Sequence, residues 1–497
     1  MAFSTLPPEL KLNIAEQLDP ASSLNFALTS RDHAKLCRST LRNHARLFAE
    51  WQVIDTAHGG VHAGRSEATL LWSTLKEVLE DPRKGWYVRE LNLPSSRRYH
   101  WDISNLGILP PDLLAAPPKE DQHIFKKAAQ ALGGLYPISA AEIDDDDRYR
   151  FDEIQHPSDF IATLEDRITA GYDDAIIAIL VHHLPYLKTI RFTDSETDCF
   201  ELMMRRVASG YKDPAIAARL PFQHLTTAAV AHYDSEMCCN ADWACFFLCV
   251  PSMQTFVAEA MGERTLFGNR QGFLPDAAVP ISNVTEMFFD RCQFDVEALH
   301  VILAGVKHLK RFTYHGGGPI VSESAWYEPK KVIAAIAAHV GHSLEELVLG
   351  QGDDADYLDA EDDLESVSLC EFKKLTSFHA EWKMIWPQHQ EPCDDEPLKE
   401  GFYAESHSSA SDFDIRTILP ESLEELYLHG VFDDDEWEQL TIPLGCLNST
   451  TPKLHKMCIR RHGRNWPYEP IETFGDAAMP PPSYYHQLAK LLEGHGY

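Results

Sequence analysis

Four clusters of histidine, glycine and cysteine have residue types that could support chemistry. His339-x-x-His342 could bind a metal ion, but it lacks the glutamate and the four-residue spacing that bring two imidazoles onto one ion. Gly316-Gly-Gly318 could bind a phosphate, but neither a helix cap nor a lysine follows it. Cys238-Cys239 cannot chelate together within a regular element and is expected in a core. His182-His183 should point to opposite sides of a helix, one packed and one in water.

A wider search for catalytic patterns leads to the same expectation. The chain has no G-x-x-x-x-G-K-[ST] phosphate loop and no G-x-S-x-G nucleophile elbow. Paired carboxylates are uninformative in a chain with 76 acidic residues. We therefore predict a non-catalytic protein without a metal ion or a cofactor. An enzyme whose site is assembled from distant repeats is an alternative, and a deep pocket with several perturbed titratable groups would indicate it.

The composition of the 497 residues narrows the class of partner. The formal net charge is −32, which disfavours nucleic acid and anionic membrane surfaces because phosphates would be repelled. Residues 1–50 carry +1, so the rest carries −33. No apolar run approaches the ~20 residues that span a bilayer. The eleven cysteines include no C-x-x-C pair, which indicates reduced thiols and predicts a cytoplasmic or nuclear protein.

The elements that would position a binding surface begin at the amino terminus. Leu6, Leu10, Ile14 and Leu18 recur at intervals of four, which predicts a helix with one apolar stripe. Pro7-Pro8 lies at its start, where a missing N–H costs nothing.

Two further helices are predicted directly after the first. Asp19-Pro20 closes the first helix and opens the second, whose Leu24, Ala27 and Leu28 should face inward. Ser30 can cap a third helix. The apolar positions of that third helix are Ala34, Cys37, Leu41, Ala45 and Phe48.

Three helices of this size bury too little surface to be stable alone, so an excess apolar stripe predicts a partner surface. The start Leu6-Pro7-Pro8-Glu9-Leu10, the hydrophobic spacing after it and Ser30-Arg31 resemble the F-box motif, of the fungal type. The resemblance implies that residues 1–50 bind the Skp-family adaptor of a cullin–RING ubiquitin ligase. Its implied adaptor-binding residues are Leu6, Pro7, Pro8, Glu9, Leu10, Ile14, Leu18, Leu24 and Leu28. The alternative is an ordinary helical cap of the domain that follows.

Short strand-like strings recur through the rest of the chain, each an apolar residue, two mostly polar residues and then apolar-x-apolar. Most successive starts lie 25 to 38 residues apart, which is typical of a solenoid. The strings are Val88–Leu93, Leu187–Phe192, Leu225–Val230, Met253–Ala258, Val284–Phe289, Leu309–Tyr314, Leu344–Leu349, Leu375–Ala380, Leu423–Leu428 and Leu454–Ile459.

Helices are predicted between these strings, at Asp174–Leu184, Phe294–Gly305 and Lys330–His339. Parallel strands alternating with helices resemble a degenerate leucine-rich-repeat horseshoe. We therefore expect an α/β fold, with a three-helix F-box-like module at 1–50 and an irregular leucine-rich-repeat-like solenoid at 51–497. Acidic or proline-rich insertions are expected at about 94–165, 351–365 and 388–414.

The function implied by these resemblances is that of a substrate-recognition adaptor in an SCF-type ubiquitin ligase, with an unknown protein substrate held by the repeat domain. A protein-interaction scaffold without a ligase role is the alternative. In a horseshoe, the polar string positions point to the concave face, although a register slip of one residue would invert the assignment. An exposed Phe288 or Tyr427 flanked by arginine would suit a peptide. The candidate substrate-binding residues are Arg191, Phe288, Arg311, Thr313, His315, His379, Glu425 and Tyr427.

Overall fold

The recurring apolar strings form strands of one sheet in the computed structural model of the chain. The structure describes residues 6–56, 71–93, 117–133, 157–194, 198–232, 238–262, 282–294, 296–317, 325–327, 329–351, 355–357, 367–385, 414–431, 434–445, 451–462 and 472–476. Within these ranges the fold is mixed α/β, with a mostly parallel sheet of twelve strands and fourteen α-helices, consistent with a solenoid-like arrangement.

Sixteen strands are present in the described residues, and twelve of them form the main sheet in chain order. The last pair of that sheet, β15 and β16, is antiparallel. The other four strands make two small parallel pairs, β5 with β7 and β10 with β12. The strands are β1 (Val53–Asp55), β2 (Glu90–Leu93), β3 (Thr189–Asp194), β4 (Thr227–His232), β5 (Cys239–Asn240), β6 (Thr255–Glu259), β7 (Met261–Gly262), β8 (Glu286–Cys292), β9 (Arg311–Gly316), β10 (Ala325–Tyr327), β11 (Glu346–Gln351), β12 (Ala355–Tyr357), β13 (Ser377–Glu381), β14 (Glu425–Val431), β15 (Lys456–His462) and β16 (Glu472–Gly475).

The described chain divides into two compact units. The first comprises the described residues up to Ala229 together with Cys249–Met253, and the second comprises Val230–Leu248 and the described residues from Gln254 onward. This division falls within the predicted repeat domain, and a boundary near residue 50 stays a prediction.

The first unit contains ten α-helices. Its N-terminal helices lead directly into the sheet, because the carbonyl of Gln52 accepts hydrogen bonds from the N–H groups of Arg89 and Glu90 at 2.8 and 3.0 Å. The helices are α1 (Pro8–Gln17), α2 (Pro20–Leu28), α3 (Arg31–Leu36), α4 (Arg38–Trp51), α5 (Leu71–Glu80), α6 (Lys119–Gly133), α7 (Pro157–Ala170), α8 (Asp173–Leu180), α9 (Asp198–Gly210) and α10 (Pro214–Ala217).

The second unit places its helices between successive strands. These are α11 (Asp242–Leu248), α12 (Val296–Ala304), α13 (Pro329–Val340) and α14 (Asp434–Leu444). Fully buried aromatic rings connect its neighbouring parallel strands. Phe256, Phe289 and Phe312 follow one another with ring centroids 6.0 and 5.8 Å apart, and Phe247 of α11 packs 6.1 Å from Phe256. These aromatic contacts join α11 to the sheet.

A repeated backbone contact sets the register at the amino end of the strands. The carbonyl of Thr285 accepts hydrogen bonds from the N–H groups of both Lys310 and Arg311, at 2.8 and 3.0 Å. The carbonyl of Lys310 accepts from Glu345 and Glu346 in the same way, at 2.8 and 2.9 Å. Each repeat therefore aligns the next through one shared acceptor.

All ten predicted strings are confirmed as strands, and each strand begins at the third residue of its string. The three predicted inter-strand helices are confirmed as α8, α12 and α13. The prediction of one helix after Ser30 is wrong, because the helix is interrupted at Cys37, which separates α3 from α4. The side chain of Cys37 is buried. The N-terminal segment thus has four helices rather than three.

The predicted insertions are only partly within the described residues. The stretch 94–165 is not merely an acidic insertion, since it contains α6 and the first part of α7, which pack together. Gln130 donates a hydrogen bond to Glu165 at 2.8 Å, and Lys76 of α5 forms an ion pair with Asp121 at 2.8 Å. Of 351–365 and 388–414, the structure describes only residue 351, β12 and residue 414.

Candidate protein-binding surfaces

Four large apolar side chains of the N-terminal helices face outward. Leu10 and Ile14 on α1 are 49% and 39% exposed, and Leu24 and Leu28 on α2 are 48% and 73% exposed. We call these four residues the docking face. Single exposed leucines are ordinary on a protein surface, but four on two adjacent short helices make a patch that suits a partner.

The N-terminal helices pack against one another through small residues instead. Ala15, Ala27 and Cys37 form their buried cluster, with the partly buried Phe26 and Leu41 against it. Because alanine fills little volume, α1 and α2 can lie close together without covering the larger side chains on their other sides. The docking face is therefore not needed to fill the interior of this segment.

The other predicted adaptor-binding residues adjoin the docking face along the chain. Pro7, Pro8 and Glu9 are exposed, whereas Leu6 and Leu18 are partly buried. The expectation that Leu24 and Leu28 face inward is wrong: in α2 only Ala27, of the three predicted inward residues, is buried. The buried residues of α2 are Ser23 and Ala27, which lie four apart on one face, and Leu24 and Leu28 each follow one of them about 100° further around the helix.

Helix caps fix the ends of these short helices. The side chain of Asp19 accepts hydrogen bonds from the N–H groups of Ala21 and Ser22, each at 3.0 Å. A hydrogen bond from the side chain of Ser22, together with these backbone bonds, lowers the pKa of the Asp19 carboxyl group. Ser30 accepts from the N–H of His33 at 3.1 Å. Both caps were predicted from the sequence. The first helix has no side-chain cap, since Pro7 stands at the N-cap position.

A polar chain ties α1 and α2 to the residues before β2. Ser23 donates its hydroxyl proton to the carbonyl of Ala15 at 2.9 Å, and its Oγ lies 3.2 Å from Nε2 of His44 on α4. Nδ1 of His44 hydrogen-bonds the hydroxyl of Tyr87, which is buried. Burial, together with the charge of Arg83, lowers the pKa of His44. A neutral imidazole suits these contacts, because it can accept from Tyr87 at Nδ1 while donating to Ser23 at Nε2.

Two cation–π contacts hold α4 beside the start of the sheet. The guanidinium of Arg89 lies 5.4 Å from the ring centre of Phe48, and the ammonium of Lys84 lies 4.7 Å from that of Trp51. Phe48 is still 39% exposed. The last turn of α4 thus caps the first strands, whereas α1 and α2 keep their apolar side chains in solvent.

Within the second unit, the candidate substrate-binding residues occupy alternate strand positions on one face of the sheet. In the second unit, Phe288, Thr313, His379 and Tyr427 occupy equivalent positions of their strands. We call the row that they form with Val257, Val348 and Cys458 the buried row, and all seven are buried. The condition for a peptide-binding patch, an exposed Phe288 or Tyr427, is not met, since they are 4% and 5% exposed.

Three further candidates of the second unit, Arg311, Glu425 and His315, lie at the two ends of that face. Arg311 and Glu425 stand two positions before the buried row, where Arg311 pairs with Glu286 at 2.7 Å and Glu425 pairs with Lys456. Burial raises the pKa of their neighbour Glu346, against the opposing effect of Arg311. In the first unit, Arg191 pairs with Glu90 at 3.3 Å. These charged candidates are partly exposed and remain accessible.

The other end of the face brings together charged groups that the sequence did not associate. His315 is buried and its Nδ1 lies 3.0 Å from the carboxylate of Asp290. A side chain at Gly350 would meet the His315 ring at 2.5 Å, so the close approach of β11 to that ring requires glycine. Nearby, Glu259 pairs with Arg291, and burial raises the pKa of the Glu259 carboxyl group.

The clusters that first suggested chemistry are placed as follows. Cys238 and Cys239 are buried, as expected. Nε2 of His339 lies 2.8 Å from Nδ1 of His300 on α12, within hydrogen-bond distance. His339 thus pairs with His300 rather than converging with His342. His182 and His183 are both half-buried, contrary to the expectation of one packed and one in water. Burial lowers the pKa of His182 to about 4 and also lowers that of His183. Gly318 lies outside the described residues.

Neither metal-binding groups nor membrane spans are found in the described part of the chain. No three histidine, cysteine or carboxylate side chains there are arranged to hold a metal ion. None of its helices has the length and hydropathy needed to cross a bilayer.

Comparison with known proteins gives no assignment. No protein-family model matches the chain, and no curated protein matches it. The F-box resemblance therefore stays a prediction that depends on the residues and surfaces described above.

Proposed function

We propose that this protein is a non-catalytic substrate-recognition adaptor of an SCF-type cullin–RING E3 ubiquitin ligase. Its N-terminal helices bind a Skp-family adaptor, and its strand-repeat region binds a protein substrate. The catalytic steps belong to the partners, and the chain holds the substrate near the ligase at high effective concentration.

The observation that carries this proposal is the exposure of the docking face. Leu10, Ile14, Leu24 and Leu28 are exposed large apolar residues of the first two helices, whose buried cluster is formed by Ala15, Ala27 and Cys37. Hydrophobic anchors on a helical surface usually supply most of the energy of a protein interface. The face also contains residues of the motif that resembles an F-box.

Substrate contacts in this proposal come from partly exposed charged residues of each unit rather than from the buried row. Arg191, Arg311 and Glu425 are partly exposed, whereas Phe288 and Tyr427 are buried. A bound polypeptide would therefore meet alternating charges first. Such a surface selects partners by charge complementarity more than by hydrophobic fit.

The test is a pull-down of the tagged full-length chain with a purified Skp-family adaptor and cullin. We expect Leu10→Asp and Leu28→Asp to abolish co-purification, because a buried leucine at an interface contributes ~2 kcal/mol or more and a buried carboxylate costs further free energy. Both side chains are in solvent in the free protein, so the variants should keep the wild-type circular dichroism spectrum and unfolding temperature.

The matched control is Ile442→Asp, which places the same carboxylate at a 65% exposed apolar position of α14. This variant should bind the adaptor as the wild type does. Unchanged co-purification of the Leu10 and Leu28 variants, or no binding by the wild type, contradicts the proposal.

The scaffold alternative has one structural observation in its favour. The contacts of Phe48 with Arg89, Trp51 with Lys84 and His44 with Tyr87 give α4 the role of a cap on the first strands. A cap alone predicts neither adaptor binding nor ubiquitin-chain formation in a reconstituted ligase. Chain formation on a bound substrate would separate the two functions.

A further inference from the structure

The helices α3 and α4 carry a stripe of exposed basic side chains. Arg31 and Lys35 lie four residues apart on α3, and Arg38, Arg42 and Arg46 lie four residues apart on α4. All five are exposed. Residues four apart share one face of a helix, so each helix presents its positive charges together. We call these five residues the basic stripe.

Most of the basic stripe has no acidic partner among the residues that the structure describes. Arg46 pairs with Glu50 at 2.9 Å, where both side chains are largely exposed. Among the described residues, no carboxylate lies within ion-pair distance of Arg31, Lys35, Arg38 or Arg42. Four positive charges are therefore available to an external anion.

The stripe contrasts with the charge of the whole molecule. Residues 31–50 hold five Lys/Arg and two Asp/Glu, a net charge of +3, so the rest of the chain carries −35. A long polyanion such as a nucleic acid would be repelled by the acidic remainder. A protein with a local acidic patch would be attracted to the stripe without that penalty.

The basic stripe adjoins the docking face. Leu28 ends α2, and Arg31 begins α3 three residues later, so their Cα atoms are no more than about 11 Å apart. The turn between them is held by the hydroxyl of Thr29, which lies 2.7 Å from Nδ1 of His33, and by stacking of His33 on Phe26 at 4.5 Å. These contacts stabilise the turn that connects the docking face to the basic stripe.

We propose that the docking face and the basic stripe form one composite surface, whose occupant is a protein with an apolar groove bordered by carboxylates. This inference rests on the proposed function and specifies the chemistry of the partner. The leucines supply the buried contact area, while the basic stripe attracts the acidic border and selects the orientation of encounter. Charge pairs at an interface rim act mainly on the association rate, which steering can raise by about 10-fold or more.

The experiment measures association and dissociation rates between the full-length chain and a purified Skp-family adaptor. The double reversal Arg38→Glu/Arg42→Glu should lower the association rate by about 10-fold at low ionic strength, with little change in the dissociation rate. The loss should largely disappear at about 0.5 M salt, where the screening length is only a few ångström. Glutamate is favourable in the first turn of α4, so Arg38→Glu should not unfold that helix.

The matched control is Lys188→Glu/Arg219→Glu, which changes the net charge by the same amount at two exposed positions outside the N-terminal helices. It should leave the association rate within about twofold of the wild type. An equal loss in this control would show that total charge, not the basic stripe, governs encounter, and would overturn the inference.

The remaining outcomes separate this inference from the proposed function. If the wild type binds, Leu10→Asp abolishes binding and the arginine reversal changes nothing, the docking function stands and the composite surface is wrong. If the wild type does not bind at any salt concentration, both are wrong. If sedimentation shows that the stripe instead holds a second copy of this chain, lost on arginine reversal, the assigned occupant is wrong.

Discussion

His379 shows how one side chain can make the stability of this fold depend on pH. It lies in the buried row, where its Nε2 is 2.9 Å from the hydroxyl of Ser377 and its ring stacks on Tyr427 with centroids 5.5 Å apart. Burial lowers the pKa of its imidazole from 6.5 to about 4. The folded protein therefore holds this histidine neutral, whereas the unfolded chain protonates it below pH 6.5.

The sign of the linkage follows from that difference in pKa. Above pH 6.5 both states are neutral at this site, so folding carries no penalty. As the pH falls from 6.5 toward 4, the unfolded chain binds the proton and the folded protein does not, so stability is lost. The loss from His379 between pH 7 and pH 5 should be about 2 kcal/mol.

We expect His379→Phe to remove this part of the pH dependence. The substitution keeps an aromatic ring beside Tyr427 and removes the titrating nitrogen atoms. Urea unfolding at several pH values should give a variant whose free energy of unfolding falls less steeply between pH 7 and pH 5. At pH 8 His379 is neutral in both the folded and the unfolded state. The difference between the two proteins in free energy of unfolding at that pH therefore measures the packing cost of the substitution. Parallel curves for the two proteins would contradict the prediction.

At the scale of elements, the strand is the unit that the sequence determines most clearly. Leu309 stands two residues before β9 and is fully buried, as are Leu344 and Leu375 at the same position of the next two repeats. This first apolar residue of each string precedes its strand. It anchors the chain at the point where the shared carbonyl of the preceding repeat fixes the register.

Leu309→Ala should therefore lower the free energy of unfolding by roughly 2–5 kcal/mol, because it leaves a cavity at a fully buried position. The matched variant is Leu454→Ala, at the same position of the last predicted string, where the leucine is only partly buried. Its loss should be clearly smaller in the same urea titration. Equal losses would mean that the repeated position does not govern stability through burial.

The strands could be predicted because the same spacing of apolar residues recurs in ten separate strings. Each string independently indicates a strand at the same place in its repeat. The break at Cys37 could not be predicted, because no glycine or proline marks it and the packing of its buried thiol against Ala15 and Ala27 involves other helices. The helices α6 and α7 were missed for a related reason, since proline-rich and acidic neighbours dominate the composition of that stretch.

For the surfaces, the sequence predicted which strand residues share a face but not which faces are exposed. The alternation of side chains in a strand places Phe288, His379 and Tyr427 on one face, and the structure confirms that shared face. Alternation contains no information about what covers a face, so their burial could not be read from the strings. The exposure of Leu24 and Leu28 likewise depends on the choice of Ala27 as the contact residue of α2.

At the scale of the whole molecule, net charge and individual ion pairs act in opposite directions on stability. Exposed pairs such as Arg46 with Glu50 and Lys310 with Glu345 each contribute about 0–1 kcal/mol, and salt weakens them. A formal net charge of −32 opposes compaction through repulsion spread over the molecule, and salt weakens this repulsion too. The direction of the salt response shows which of the two is larger.

We expect moderate salt to stabilise this protein. Raising NaCl from about 0.02 to about 0.2 M at pH 7.5 should raise the unfolding temperature by about 2 °C, because the screening length falls from above 20 Å to below 10 Å. The same addition near pH 5.1, the isoelectric point calculated from the sequence, should have no such effect because the net charge is then close to zero. Differential scanning calorimetry measures both. A lower unfolding temperature at pH 7.5 would mean that ion pairs, including those at the ends of the sheet face, hold this fold against its own charge.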